Sequence, residues 1–119
     1  MTPDTRRIVA IEAHRRRTGH CPTRVYSLGT GEIFDVTPAA DGFLDVATGL
    51  IVRSNGRQIK LPAGSVDLDL VGDVFFEGRD QTSGEPFTGR AGGGASVTLY
   101  GSDGDDYFQY AMVTEDTVP

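Results

Sequence analysis

The sequence predicts a mainly β fold, a small antiparallel β-barrel or two-layer β-sandwich built from hairpins, with one N-terminal α-helix. Three observations lead to this prediction. From residue 24 onward, short runs of β-branched and aromatic residues alternate with glycine-bearing turns. A helix start and a helix stop frame the first 19 residues. The length of 119 residues and the hydrophobic content of 38% suit a single domain over residues 1–119.

A helix over residues 3–18 is predicted from the signals at its two ends. Thr2 can accept a hydrogen bond from a backbone N–H of the first turn, and proline, here Pro3, is favoured at the first helical position. Gly19 and Pro22 mark the stop, because glycine ends helices in the left-handed conformation and proline cannot continue them.

This helix carries most of the basic charge of the chain. The net charge is −6, yet the first 24 residues hold six arginines against two acidic residues, which leaves them at +4 and the remainder at −10. Ile8 and Ile11 form only a narrow apolar face. We therefore expect a basic helix that plugs one end of the β body or covers an open edge, and is neutralised there. A short strand over residues 8–11 is the alternative.

The β body is predicted over residues 24–113 as four hairpins, followed by a frayed tail over residues 114–119. Asn55-Gly56 predicts a type I′ turn, since both residue types tolerate the left-handed conformation. Val66, Leu68 and Leu70 alternate with two aspartates, as in a strand with one wet side. The paired strands are expected at residues 24–28 with 32–36, 50–53 with 58–61, 66–70 with 73–77, and 96–100 with 107–113.

A long glycine-rich loop is predicted over residues 78–94. Loops of this length in a compact domain are often functional or mobile. Within it, Phe87 and Arg90 are the expected anchors, because aromatic residues and arginine dominate protein interfaces. The leading functional prediction is therefore a non-enzymatic domain for protein–protein interaction or self-association, which uses this loop and an adjacent sheet face or edge.

One alternative function is nucleic-acid contact through the end of the helix. Arg15, Arg16 and Arg17 would bind phosphates there, with tyrosines of an exposed sheet stacking on bases. The acidic β body would repel phosphates over most of the surface. A protein partner or a second copy is accordingly preferred to nucleic acid.

Another alternative is a small enzyme or toxin-like domain that uses His14, His20 and Cys21. These residues are the only neutral-pH proton carriers and the only thiol of the chain. His20 and Cys21 are adjacent in sequence, and no catalytic motif frames them, so a non-enzymatic role is favoured.

Residues 101–108 resemble one turn of the calcium-binding nonapeptide of parallel β-helices. Asp103, Asp105 and Asp106 would be the ligands, but the motif occurs once, and calcium in that architecture is held between successive turns. Glycine and aspartate are also the residues that a hairpin turn needs. We expect a turn here, and no metal or cofactor.

The single cysteine, Cys21, excludes an internal disulfide scaffold and a zinc finger. No window of 18 consecutive apolar residues occurs, and the N-terminal residues lack the apolar core of a signal peptide. These features predict a cytoplasmic protein without membrane contact.

Overall fold

The computed structural model describes residues 1–101 and 106–114. Within these ranges the chain forms one helix followed by ten strands. Their bounds are α1 Pro3–Thr18, β1 Arg24–Ser27, β2 Ile33–Ala39, β3 Gly42–Asp45, β4 Leu50–Asn55, β5 Gln58–Leu61, β6 Gly64–Val71, β7 Phe75–Asp80, β8 Pro86–Arg90, β9 Ser96–Tyr100 and β10 Tyr107–Val113.

The ten strands close into an antiparallel barrel. Each strand from β2 to β10 pairs with its neighbours in sequence, and β1 lies between β2 and β10, so that the sheet has no free edge. Closure is one way in which an antiparallel sheet removes the unpaired backbone groups of its edges. Of the two architectures that the sequence predicted, the barrel is the one observed.

Strand alternation decides which side chains fill the barrel. In β6, Val66 and Leu68 are buried while Asp67 and Asp69 lie on the outside, as predicted. In β10, Tyr110 and Met112 are buried and Tyr107 is exposed. Inward positions on β4, β5, β7, β8 and β9 follow the same period of two, which is the pattern of a sheet with one apolar side, whereas all four residues of β3 are buried or half-buried.

The helix runs inside this barrel. Its bounds agree with the prediction: the Thr2 hydroxyl accepts from the Thr5 N–H at 3.1 Å, and Gly19 ends the helix with φ 76°. Every residue from 7 to 14 is buried, and α1 packs against β6, β9 and β10. A helix buried all round needs an enclosing partner, and here the barrel wall encloses it. The expectation of a helix that plugs one end or covers an edge is therefore wrong.

The predicted loop over residues 78–94 is also wrong in its extent. About half of it is the second half of β7 and the whole of β8, which pair over five residues from Phe75↔Arg90 to Arg79↔Pro86. Pro86 is the first residue of β8, a position where proline is tolerated. Only residues 81–85 and 91–95 connect strands.

Two local expectations also need correction. Asn55 is the last residue of β4 and pairs with Gln58, so the turn residues are Gly56 and Arg57. Gly56 has φ 61° and no other residue type adopts a positive φ among the described residues, which fits a type II′ turn rather than type I′. The short strand β3 was not predicted.

Candidate functional site

The predicted nucleic-acid contact lies at one rim of the barrel, where α1 ends. Arg16 donates to the Leu68 carbonyl at 2.6 Å and to the Ser54 hydroxyl at 3.2 Å. Arg17 donates to three backbone carbonyls at 2.8 to 3.0 Å, those of Ala91, Gly72 and Phe75. These side chains fasten the helix to the ends of the strands.

Arg15, the third arginine of this cluster, pairs with Glu12. The Glu12 side chain is fully buried and accepts from Arg15 at 3.2 Å and from Arg16 at 2.7 Å. The three arginines also lie in the last helical turn, where positive charge is favoured by the helix dipole. Most of the basic side chains of the N-terminal segment thus bind acceptors within the chain, and little of their charge is available to a ligand.

At the opposite end of the helix, Arg7 makes a buried ion pair with Asp45. The guanidinium group donates to both carboxylate oxygens, at 3.1 and 2.6 Å, and Thr48 donates to the same carboxylate at 2.6 Å. The Phe34 ring lies 4.0 Å from the Arg7 guanidinium carbon. Hydrogen bonds from two groups satisfy the Asp45 charge away from water.

The predicted catalytic group does not form a reactive thiol. Burial raises the pKa of Cys21 to about 11, the nearby Arg15 charge opposing this shift only in part. A thiol with such a pKa is almost entirely protonated at neutral pH, and the thiolate is the nucleophile. His14 is buried and its pKa is lowered, mainly by burial, whereas His20 is exposed.

The predicted metal ligands Asp103 and Asp105 lie outside the described residues. Asp106 is described and exposed, and its carbonyl accepts from the Gly101 N–H at 3.0 Å, as a hairpin connection requires. Over residues 1–101 and 106–114, no cluster of three or more histidine, cysteine or acidic side chains is placed to hold a metal ion.

The two predicted interface anchors have different environments. Phe87 points into the barrel, is 2% exposed, and packs edge-on against Phe76 with ring centroids 6.3 Å apart. It is therefore a core residue, and its prediction as an anchor is wrong because strand β8 replaces the expected loop. Arg90 points outward on the same strand and lies over the Phe75 ring at 5.6 Å.

Arg90 belongs to an outward-facing surface that we call the β7–β10 face. Two cross-strand rows of side chains form it. The first row consists of Phe75, Arg90, Thr98 and Gln109, and the second of Glu77, Thr88, Tyr100 and Tyr107. Phe75 is 54% and Tyr107 62% exposed, large values for aromatic side chains on a β-barrel wall.

Further exposed apolar side chains lie beside this face, while Ile33, Val46, Ile51 and Val113 are exposed outside it. Val71 extends the first row on β6, and Leu28 lines a groove of about 500 Å³ together with Tyr107 and Gln109. The opposite wall, around β4 and β5, has the exposed Ile51 beside the cationic pair Arg53 and Lys60. Phe75 and Tyr107 are the two aromatic side chains among the large exposed hydrophobic residues of the described chain, and both lie on the β7–β10 face.

Sequence reasoning missed Phe75 and Glu77 as surface residues, and it considered Tyr100 and Tyr107 only among the tyrosines that would stack on bases. A signal for Tyr107 was present, since strand alternation placed it opposite the core side chains Phe108 and Tyr110. The four strands β7 to β10 are consecutive in sequence and pair in that order, but the face was missed because β8 was predicted as part of a loop.

Comparisons of the chain with family models, curated proteins and solved structures return no match. In the described part of the chain, no helix combines the length and apolar character needed to cross a bilayer.

Proposed function

We propose that this protein is a non-enzymatic interaction domain that binds another protein chain through its β7–β10 face. The observation that carries the proposal is the combination on one wall of exposed Phe75 and Tyr107 with the exposed Arg90. Aromatic residues and arginine are the types enriched at the centre of protein interfaces.

The distribution of charge supports a protein ligand. Arg7 is buried, and Arg15, Arg16 and Arg17 already contact acceptors of this chain, while the outside carries most of the acidic residues. Phosphates would meet repulsion at such a surface. Nucleic-acid contact and catalysis stay predictions without a geometric observation in their favour.

The rigidity of the wall is a second argument. The face is built on four hydrogen-bonded strands of a closed barrel, so its side chains lose little backbone freedom on binding. Thr88, Thr98 and Gln109 add uncharged donors and acceptors between the apolar groups. Since Cys21 has no disulfide partner in the chain, we place this function in a reducing compartment such as the cytoplasm.

The proposal is tested by photo-crosslinking in cells that express the chain. Tyr107 is replaced by p-benzoylphenylalanine, and the matched control carries the same probe at Ile51 on the opposite wall, which is exposed to a similar extent. We expect a discrete protein adduct with the Tyr107 probe and none with the Ile51 probe. Phe75→Ser should abolish that adduct while leaving the melting temperature near that of the parent.

Equal labelling from the two probe positions, or no adduct from either, would contradict the proposal. An adduct that survives Phe75→Ser would place the contact outside the β7–β10 face and count against it as well.

A further inference from the structure

The β7–β10 face carries one positive and one negative side chain in a reciprocal arrangement. Arg90 lies directly opposite Phe75, and Glu77 directly opposite Thr88, so the two charges occupy the diagonal of a square of four side chains. Both charged residues are exposed. Among the ion pairs of the described residues, none involves either of them.

A twofold axis along the other diagonal, from Phe75 to Thr88, would give each of the two charged side chains a partner of opposite charge. An axis lying in the plane of contact exchanges Arg90 of one copy with Glu77 of the other, and each contact then occurs twice. Phe75 would meet its own counterpart on the axis, with an ion pair on either side. The face is therefore complementary to itself in charge, with Phe75 on the axis.

We infer that the partner of the β7–β10 face is a second copy of this chain, and this inference rests on the proposed function. The two copies would form an isologous dimer with Phe75 at its centre and two Arg90–Glu77 pairs around it. Charge complementarity is the argument for a second copy. At a net charge of −6, two copies repel at long range. The β7–β10 face is where a cation and an anion are placed to compensate for that repulsion.

The size of the face sets the strength of the dimer. Four strands about 4.8 Å apart, each contributing about five residues at 3.3 Å, present a wall of roughly 19 by 17 Å. At about 320 Å² per copy, this is below the roughly 600 Å² per partner of standard interfaces, so the dimer should be weak and dissociate on dilution below roughly millimolar concentration.

Charge reversal tests the arrangement directly. Sedimentation equilibrium should show the wild-type mass rising from 12.7 kDa toward twice that value with concentration. Arg90→Glu and Glu77→Arg, each alone, should weaken association by at least about tenfold, because each change reverses two pairs per dimer. An equimolar mixture of the two variants should form a heterodimer tighter than either homodimer, since all four facing charges are then opposite.

Two control variants carry the same changes of charge on the other side of the barrel. Lys60→Glu and Asp41→Arg lie on exposed positions near β4 and β5 and should associate like wild type. If either reversal at the face alters the near-ultraviolet circular dichroism spectrum, Arg90→Gln and Glu77→Gln replace it, with the same direction of effect expected.

A wild-type chain that stays monomeric above roughly millimolar concentration, or a dimer that neither reversal weakens, would overturn the inference. So would a mixture that associates no better than its components. A monomer whose Tyr107 probe crosslinks to a different protein would overturn the second copy as partner and leave the binding face in place. A failure of both measurements would reject the face itself.

Discussion

Asp45 shows most clearly how the charged residues of this chain serve its fold. It has no exposure to solvent, and its partners Arg7 and Thr48 come from α1 and from the turn after β3. In sequence, Arg7 and Asp45 are 38 residues apart. An arginine in a predicted basic helix therefore gives no local sign that it is buried beside a carboxylate.

Removing one partner of this pair should destabilise the protein strongly. Asp45→Asn leaves the Arg7 charge buried without its carboxylate, and such changes cost about 3 to 5 kcal/mol. Asp4→Asn is the matched control, because Asp4 bonds the same guanidinium but its side chain is 57% exposed, and an exposed pair contributes about 1 kcal/mol or less. Urea unfolding measures both. Equal losses for the two variants would contradict the account.

His14 should make the free energy of unfolding decrease as the pH falls below about 6.5. Its pKa in the fold lies below the ordinary value of 6.5, mainly because burial disfavours the charged ring and secondarily because of His20. The unfolded chain therefore binds the proton more readily, so the stabilisation is complete above pH 6.5 and declines as the pH falls toward the folded-state pKa. His14→Gln should flatten this decline, whereas His20→Gln should nearly preserve it. A wild-type slope in His14→Gln would show that other groups are responsible.

At the scale of elements, the strands and the helix were predicted where local chemistry defines them. Thr2, Pro3 and Gly19 mark the helix ends through capping and backbone conformation, and the structure has the same bounds. The alternation of Val66, Leu68 and Leu70 likewise gave the correct inward side of β6. Such signals depend on the few residues around them, so they can be read without the rest of the fold.

Strand β8 was missed because the packing that requires its glycine, Gly89, is visible only in three dimensions. A Cβ at Gly89 would collide with the Phe76 ring on β7 and approach the Thr98 carbonyl on β9 to 2.5 Å. The glycine is thus needed for close packing inside the barrel, while in the sequence it indicated a flexible loop. The same misinterpretation made the buried Phe87 a predicted anchor.

Gly89→Ala adds only one methyl group, yet it should clearly lower the free energy of unfolding. Overpacking of a core by such groups destabilises by about 1 to 3 kcal/mol. Gly94→Ala provides the control, since nothing lies within 4 Å of its added Cβ and its φ is outside the left-handed region. Thermal unfolding followed by circular dichroism compares the two. A melting temperature for Gly89→Ala equal to that of Gly94→Ala would refute the packing argument.

At the scale of the whole molecule, the enclosure of α1 by the barrel explains both the core and the outer surface. A helix with apolar residues on every side of its middle, among them Val9, Ala10 and Ala13, fills a barrel of ten strands. Polar groups at its two ends bind the rims, as the Arg16 contact with the Leu68 carbonyl 52 residues away illustrates. The outer side of the wall carries the β7–β10 face, for which we propose a binding role.

This enclosure could not be predicted from the sequence. Arg7, Glu12 and His14 interrupt the apolar pattern of the helix, and the partners that fix its ends lie far along the chain, Asp45 for Arg7 and the Leu68 carbonyl for Arg16. The proposed binding face lies on four strands that are consecutive in sequence, and it was not predicted because β8 was interpreted as part of a loop. Fold class was accessible from composition and alternation, whereas the location of the helix follows from tertiary packing.

Amide hydrogen exchange tests the enclosure of the helix most directly. If the barrel surrounds α1, the backbone N–H groups of residues 8–14 can exchange only when the whole barrel opens. Their free energies of exchange should then equal the global free energy of unfolding from urea denaturation, and should match those of buried residues in β6 and β9. Exchange of the helix at a distinctly lower free energy than these strands would show a helix that detaches on its own, and would contradict a helix held inside a closed barrel.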